Sequence, residues 1–195
     1  MIISISVGAT MKIEVPLDRF YDFFSPTPVA LVSTVSKEGV PNLAPYGLVM
    51  PISFDPPMIA LGIRVTRKTH KNITDTREFV VNFPAADLVK IVNKAAVPTP
   101  VVDKFHNVGL TPIKSAVVKA PGIKECRVHY ECTLEWLKDA GDHTLIVGKV
   151  VSVSVDGDLP AVEKAAMMEK IRPLYYGVMI YYELGKLLVE RKNLS

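Results

Sequence analysis

Cysteine is scarce in this chain: two among 195 residues, Cys126 and Cys132. They stand six apart in a segment that reads as a strand, which puts their Cα atoms ~20 Å apart at ~3.3 Å per residue. A disulfide needs a separation below about 7 Å. The pair therefore predicts free thiols and a reducing compartment, the cytoplasm. C-x-x-C and H-E-x-x-H are both missing, so no zinc pattern is present. Long apolar runs are missing as well. Met1 to Thr10 carries no charged leader and no cleavage site, and reads as a strand or as an extension ahead of Met11. Tyr175 to Tyr182 is ended by Glu183 and Lys186, far short of the ~20 residues that span a bilayer. Charge of one sign is not in excess: the net charge is +3, scattered, without basic–aromatic interleaving. That argues against a small barrel binding nucleic acid through its surface. There is no G-x-G and no P-loop, which excludes a Rossmann unit and a Walker-type phosphate loop.

Proline, by contrast, is plentiful, at 15. Five prolines fall in Pro41 to Pro57 (PNLAPYGLVMPISFDPP), an otherwise apolar run. Prolines remove backbone donors, so the segment predicts an irregular, half-buried strand at a functional edge. Around it, Val29 to Ser36, Met58 to Ile63 and Phe79 to Phe83 read as strands. Asp18 to Phe24 reads as a short helix capped by Asp18, with Phe20, Phe23 and Phe24 on one face. Thr69 to Thr76, Ala86 to Ala95 and Ala161 to Ile171 also read as helices, and Pro98 to Leu110 as loop. From Cys126 to Leu137 polar and apolar residues alternate, placing Cys126, Val128, Tyr130, Cys132, Leu134 and Trp136 on one face. Leu145 to Val155 is its expected partner across a tight turn at Asp139 to Asp142. Short strands joined by hairpins predict a mainly β fold, an antiparallel barrel with peripheral helices.

Three places could carry chemistry. Arg67-Lys68-Thr69-His70-Lys71 opens a helix with cations, although helix N-termini favour acids. An external anion would resolve that conflict, held by free N–H groups, a Thr hydroxyl and two cationic heads. The competing reading is a solvated basic turn capped by Thr66 or Thr69. Asn42 to Gly47 could expose backbone groups to a planar heterocycle, or could be a bulged edge strand that blocks aggregation. His143, after Asp142, could move a proton or contact a cofactor, or be a solvated turn residue. His106 and His129 show no partner pattern, and Asp103-Lys104-Phe105 receives no role.

These segments recur together in an order that resembles the flavin reductase-like family, the FMN-binding split barrels that include flavoredoxins. The resemblance runs from Leu17 to Leu187. It rests on Pro28 to Thr34, Asn42 with Ala44-Pro45-Tyr46, Ser53 with Pro56-Pro57, Lys68-Thr69 with Asn72-Ile73, and Phe79 to Asn82. Asp103-Lys104-Phe105 with Gly109-Leu110, Glu125-Cys126, Glu131-Cys132, Gly141-Asp142-His143 and Gly148-x-Val150 complete it. It implies a Greek-key antiparallel split β-barrel over 1–195, with an extension at 1–16 and a C-terminal helix and tail at 160–195. It further implies a homodimer with one FMN per subunit and NAD(P)H or a protein as electron donor. Carried over by position, Thr34, Asn42, Ala44, Pro45, Tyr46, Gly47 and Ser53 would contact the flavin. Arg67, Lys68 and Thr69 would hold its phosphate, Asn82 and Phe83 would lie near it, and His143 would face its open side. Gly47 stands where the family often has serine, and Thr27 where it often has a basic residue. The activity implied is electron transfer from NAD(P)H through FMN to flavin, ferric or other acceptors. The alternative implied is an electron carrier reduced by a partner protein.

Overall fold

Pro41, Pro45 and Pro51 of the Pro41–Pro57 run end up on the two edge strands of the main sheet, Pro56 falls in a turn, and Pro57 opens the next strand. A computed structural model describes residues 12–98 and 103–185; Met1 to Thr10 and the chain from Lys186 lie outside the described residues. In order, the elements are β1 (Thr27–Pro28), β2 (Ala30–Val35), β3 (Pro41–Tyr46), β4 (Val49–Phe54), β5 (Pro57–Ile63), α1 (Lys68–Thr76) and β6 (Glu78–Phe83). Then come α2 (Val89–Ala96), α3 (Lys104–Val108), β7 (Pro112–Ile113), β8 (Gly122–Ile123), β9 (Val128–Ala140), β10 (His143–Val155), α4 (Lys164–Ile171), β11 (Leu174–Gly177) and β12 (Ile180–Glu183).

Seven strands form one antiparallel sheet in the order β3-β2-β6-β9-β10-β5-β4. Its two edge strands, β3 and β4, are consecutive in the chain and joined through Gly47 and Leu48. Flat, those edges would lie about 29 Å apart at ~4.8 Å per strand. Three Cα steps reach at most ~11 Å. The sheet must therefore curl until its edges meet. The Gly62 amide donates to the Leu48 carbonyl at 2.9 Å, which carries the β4–β5 ladder one residue into the link between the two edges. The fold is a Greek-key antiparallel split β-barrel with peripheral helices.

The Pro-rich run is thus two edge strands and not one: β3 pairs with β2 in unbroken register, while β4 is irregular, with a register shift between Pro51 and Ser53. Pro41 and Pro45 share a parity on β3, opposite Val35 and Leu31, so their missing N–H groups face away from β2. β2 is buried on both faces. Its even residues Ala30 and Val32 fill the barrel with Leu61, Phe79, Val81 and Ile146, and Ile73 of α1 joins them. Leu31 and Val29 face an outer layer built by α2 and α3 through Val92, Ala95, Phe105 and Val108. Gly148 makes room for this filling: a Cβ there would lie 2.3 Å from the Phe79 ring.

Other expectations shift. Leu17–Phe23 is a 3-10 helix preceded by Pro16, with no side-chain cap from Asp18, and Phe20 is 66% exposed rather than part of a buried face. The stretch after Pro98 is not all loop, because Asp103 caps α3 by accepting the His106 amide at 3.0 Å, and Gly109 ends it with φ 84°. Cys126 precedes β9 instead of sharing its face. Register shifts at Val147/Gly148 and Val150/Ser152 break the alternation, leaving Trp136 and Leu137 both exposed. Both cysteines are free and buried, and burial pushes the Cys132 thiol up to about 12. Among the described residues no helix is long and apolar enough to cross a membrane.

Candidate functional site

Where β3 meets the start of α1, the surface opens into a cleft of about 510 Å³, within the ~300–1,000 Å³ range of small-molecule sites. Asn42, Ala44, Pro45, Tyr46 and Gly47 form one wall, and Arg67, Lys68 and Thr69 one end. His143, from the start of β10, reaches it from the far strand pair, and Arg64 lies beside it. The structure thus gathers nine of the residues singled out in the sequence.

Local chemistry fixes this geometry. Thr69 is buried and accepts a hydrogen bond from Asn42 Nδ2 at 3.2 Å, which ties β3 to α1. Asn72, one turn on, donates to Thr34 Oγ1 at 3.0 Å. The helix starts at Arg67 with no side-chain cap and no acid in its first turn. Neither Thr66 nor Thr69 caps it. First-turn amides have no intrahelical partner, and they leave the helix end partly positive. That end lies against the cleft.

Two buried hydroxyls lack a hydrogen-bond partner among the described residues: Tyr46 Oη, of the cleft wall, and Thr27 Oγ1, which lies beside Gly47 behind it. Burial pushes the Tyr46 phenol up, while nearby Thr69 and Arg67 pull it back; the Thr69 hydroxyl is close without meeting hydrogen-bond geometry. Gly47 permits the close approach of Thr27 and Tyr176, since a Cβ would lie 3.2 Å from Thr27 Oγ1 and 3.9 Å from the Tyr176 ring. A buried hydroxyl without a partner is costly. A polar ligand in the cleft would relieve that cost.

At the other end, His143 Nδ1 lies 2.6 Å from Asp142 Oδ1, and Asp142 Oδ2 lies 3.0 Å from Arg64 Nη2. The hydrogen bond from His143 is the main reason the Asp142 carboxyl sits below the usual range, and Arg64 helps. A carboxylate only accepts, so Nδ1 carries a proton and Nε2 is the nitrogen left free to exchange one.

Four of the singled-out residues lie elsewhere. Thr34 is fully buried beneath α1. Asn82 is fully buried, donating to the Leu31 carbonyl at 2.9 Å and accepting from the Ile123 amide at 3.1 Å. Phe83 packs edge-on against Tyr130 with ring centres 5.9 Å apart. Ser53 lies on the edge strand β4. None of them lines the cleft. His129 uses both ring nitrogens inside the fold, on the Ile123 carbonyl and Ser154 Oγ. Sequence reasoning missed Arg64, Lys104 and Tyr176, which do line it. Tyr176 was hidden in an apolar stretch that here forms the hairpin β11–β12.

The cleft can therefore hold a flat ligand against β3, an anionic tail at α1, and a second reactant near His143. Residues 23–184 match the flavin reductase like domain. An uncharacterized protein of Methanothermobacter thermautotrophicus is 37% identical over 155 residues, covering 76% of this chain and 73% of that one. Nitrilotriacetate monooxygenase component B from Bacillus cereus superposes with a TM-score of 0.81 at 29% identity, over 93% of this chain and 99% of that one. Flavoredoxin of Desulfovibrio vulgaris (Miyazaki F) gives 0.78 at 26% identity, over 88% and 93%. With the domain matched over most of its length, this chain belongs to the flavin reductase-like family, for which a flavin is the implied cofactor.

Proposed function

We propose that the protein is an FMN-binding oxidoreductase that passes electrons from NAD(P)H through the bound flavin to flavin, ferric or other acceptors. The observation that carries this reading is one cleft with a cationic helix start at one end, a backbone-lined strand along its wall and a carboxylate-oriented histidine opposite. Bound FMN would supply the hydride-accepting and electron-donating chemistry. The chain's own residues bind and orient. Arg67, Lys68, Thr69 and the first-turn amides of α1 hold the phosphate. Ala44 to Gly47 lie along the ring, and the unpartnered Tyr46 hydroxyl has a donor to give. Asn42 acts by holding Thr69 in place. Thr34, through Asn72, fixes α1, and Asn82 fixes β2 against β8. His143, oriented by Asp142, holds or moves a proton at Nε2 on the open side.

The same reading makes 1–195 a single cytoplasmic unit that works as a homodimer. Leu48, Met50, Ile52 and Phe54 leave the edge strand β4 and its approach apolar and exposed, with Phe54 at 90%. Exposed apolar surface of this kind marks an interface.

A second reading, an FMN-bound electron carrier reduced by a partner protein, is favoured by the likeness to flavoredoxin. Visible spectra before and after anaerobic NADH or NADPH separate the two. Bleaching of the flavin band on a catalytic timescale supports the reductase. A flavin band that persists with both nucleotides supports the carrier, and no band after reconstitution with FMN refutes both.

A further inference from the structure

We propose that Arg64 is a positioning residue for His143: it clamps the Asp142 carboxylate, so that the imidazole keeps its Nδ1 proton and holds Nε2 ready to exchange one at the cleft. The use of that proton rests on the functional reading above; the clamp itself does not. Arg64 follows the last residue of β5, and His143 is the first of β10. These strands pair antiparallel with Thr144 opposite Ile63. One further step of the same register sets His143 opposite Arg64. The hairpin turn then brings Asp142 to the pair. Ala140 stands opposite His143, which leaves the two-residue loop Gly141-Asp142. Gly141 takes the left-handed φ of 66° that so tight a loop demands. The outcome is one carboxylate used at both oxygens: Oδ1 lies 2.6 Å from His143 Nδ1, and Oδ2 lies 3.0 Å from Arg64 Nη2. Arg64 and His143 both line the cleft.

An aspartate next in sequence to a histidine is not by itself a fixed partner. The Asp142 side chain is 68% exposed, and ordering an exposed side chain costs rotamer entropy. A second bond, at the oxygen that His143 does not use, holds the carboxylate in one orientation. Among the described residues Arg64 is the only lysine or arginine paired with Asp142. A guanidinium suits the task, because it stays charged at any working pH and its donors lie in one plane. With the carboxylate held, the neutral imidazole donates from Nδ1, and Nε2 is the nitrogen left over. Without Arg64 that acceptor swings into water, and the two tautomers interchange. The pair is solvent-exposed, so the effect is modest in size. It is exerted through the histidine, which separates it from direct attraction of an anionic reactant by Arg64.

The test follows His143 by nitrogen-15 NMR and by stopped-flow reduction with NAD(P)H. The proteins are wild type, Arg64→Met, Arg64→Lys, Asp142→Ala and Arg64→Met/Asp142→Ala. There are four histidines, and the spectrum of His143→Ala assigns the signal. At about pH 8.5, where an ordinary histidine is neutral, wild type carries the proton on Nδ1. Arg64→Met gives a mixture of tautomers, and Arg64→Lys restores most of the wild-type pattern. The limiting reduction rate of Arg64→Met falls ~3- to 10-fold while the apparent nucleotide affinity stays within about twofold. Once Asp142 is alanine, Arg64→Met lowers the rate no further. A wild-type ring protonated at Nε2 alone, or an unchanged tautomer in Arg64→Met, overturns the proposal. So does weaker nucleotide binding at an unchanged limiting rate, and so do additive losses in the double variant. If no flavin binds, or NAD(P)H does not reduce it, the functional reading fails, while a tautomer change in Arg64→Met still upholds the clamp.

Discussion

Removing both exposed cations at the start of α1 tests the phosphate site from its solvent side. Lys68 opens the helix and Arg67 precedes it, and both side chains are exposed. Arg67 makes no side-chain cap and alanine is a good helix former at Lys68, so Arg67→Ala/Lys68→Ala keeps α1 in place. A hydrogen bond to a charged group contributes ~1.5–3 kcal/mol, and solvent exposure puts these two at the low end. Together they amount to about 3 kcal/mol, or roughly two decades in FMN affinity. Thr69 and the first-turn amides remain, so binding is weakened and not abolished. Exposed charges are screened within ~8–10 Å at ordinary ionic strength. Wild-type affinity for FMN should therefore fall as salt rises, and the double variant should respond much less. The assay is fluorescence titration with FMN and with riboflavin at two salt concentrations. If the double variant binds FMN as tightly as wild type, the cluster is a solvated helix start and the reasoning fails.

Three further outcomes follow from the geometry. His143→Ala makes no change at the phosphate end, so FMN should stay bound while reduction by NAD(P)H slows ~10²-fold or changes its pH dependence; stopped-flow rates equal to wild type across pH would remove His143 from the site. Glu131 is buried and accepts the amides of Ala116, Val117 and Val118 at 2.8, 2.7 and 3.0 Å. Burial pushes its carboxyl up, but these three donors outweigh it and hold the carboxyl below the usual range. Its stabilisation is thus complete above the unfolded value of about 4.3 and is lost as pH falls through the lower folded value. Glu131→Gln should cost about 3 kcal/mol, a drop of roughly 6–12 °C in melting temperature, and flatten the acid limb; a melt within a degree of wild type would contradict this. Light scattering at micromolar concentration should give twice the chain mass, and a monomer that holds FMN would rule out a dimer-dependent site.

What the sequence revealed depended on whether a local rule was obeyed or broken. β2 and β6 were legible because runs of Ala, Val and Leu or Phe and Val suit strands buried on both faces. The helix start at Arg67 was legible because cations there defy the dipole, a conflict visible without coordinates. The edge placement of β3 was legible from its prolines, but its regularity was not, because prolines on the outward side of an edge strand leave the ladder intact. α3 escaped because five residues are too few for periodicity, although Asp103 and Gly109 bracket it. Asn82 and Thr34 entered through the resemblance, by position, and their partners lie within the fold. Asp103-Lys104-Phe105 stood out in the sequence without a role, since the placing of Lys104 at the cleft depends on elements far apart in the chain.

The central claim is that the cleft between β3 and α1 holds FMN by its terminal phosphate. Heat release of the flavin from the purified or reconstituted protein, followed by mass identification, tests it most directly. The account predicts FMN, close to one per chain, displaced from wild type by excess inorganic phosphate. FAD as the main species, or a flavin whose retention is indifferent to phosphate, would contradict it.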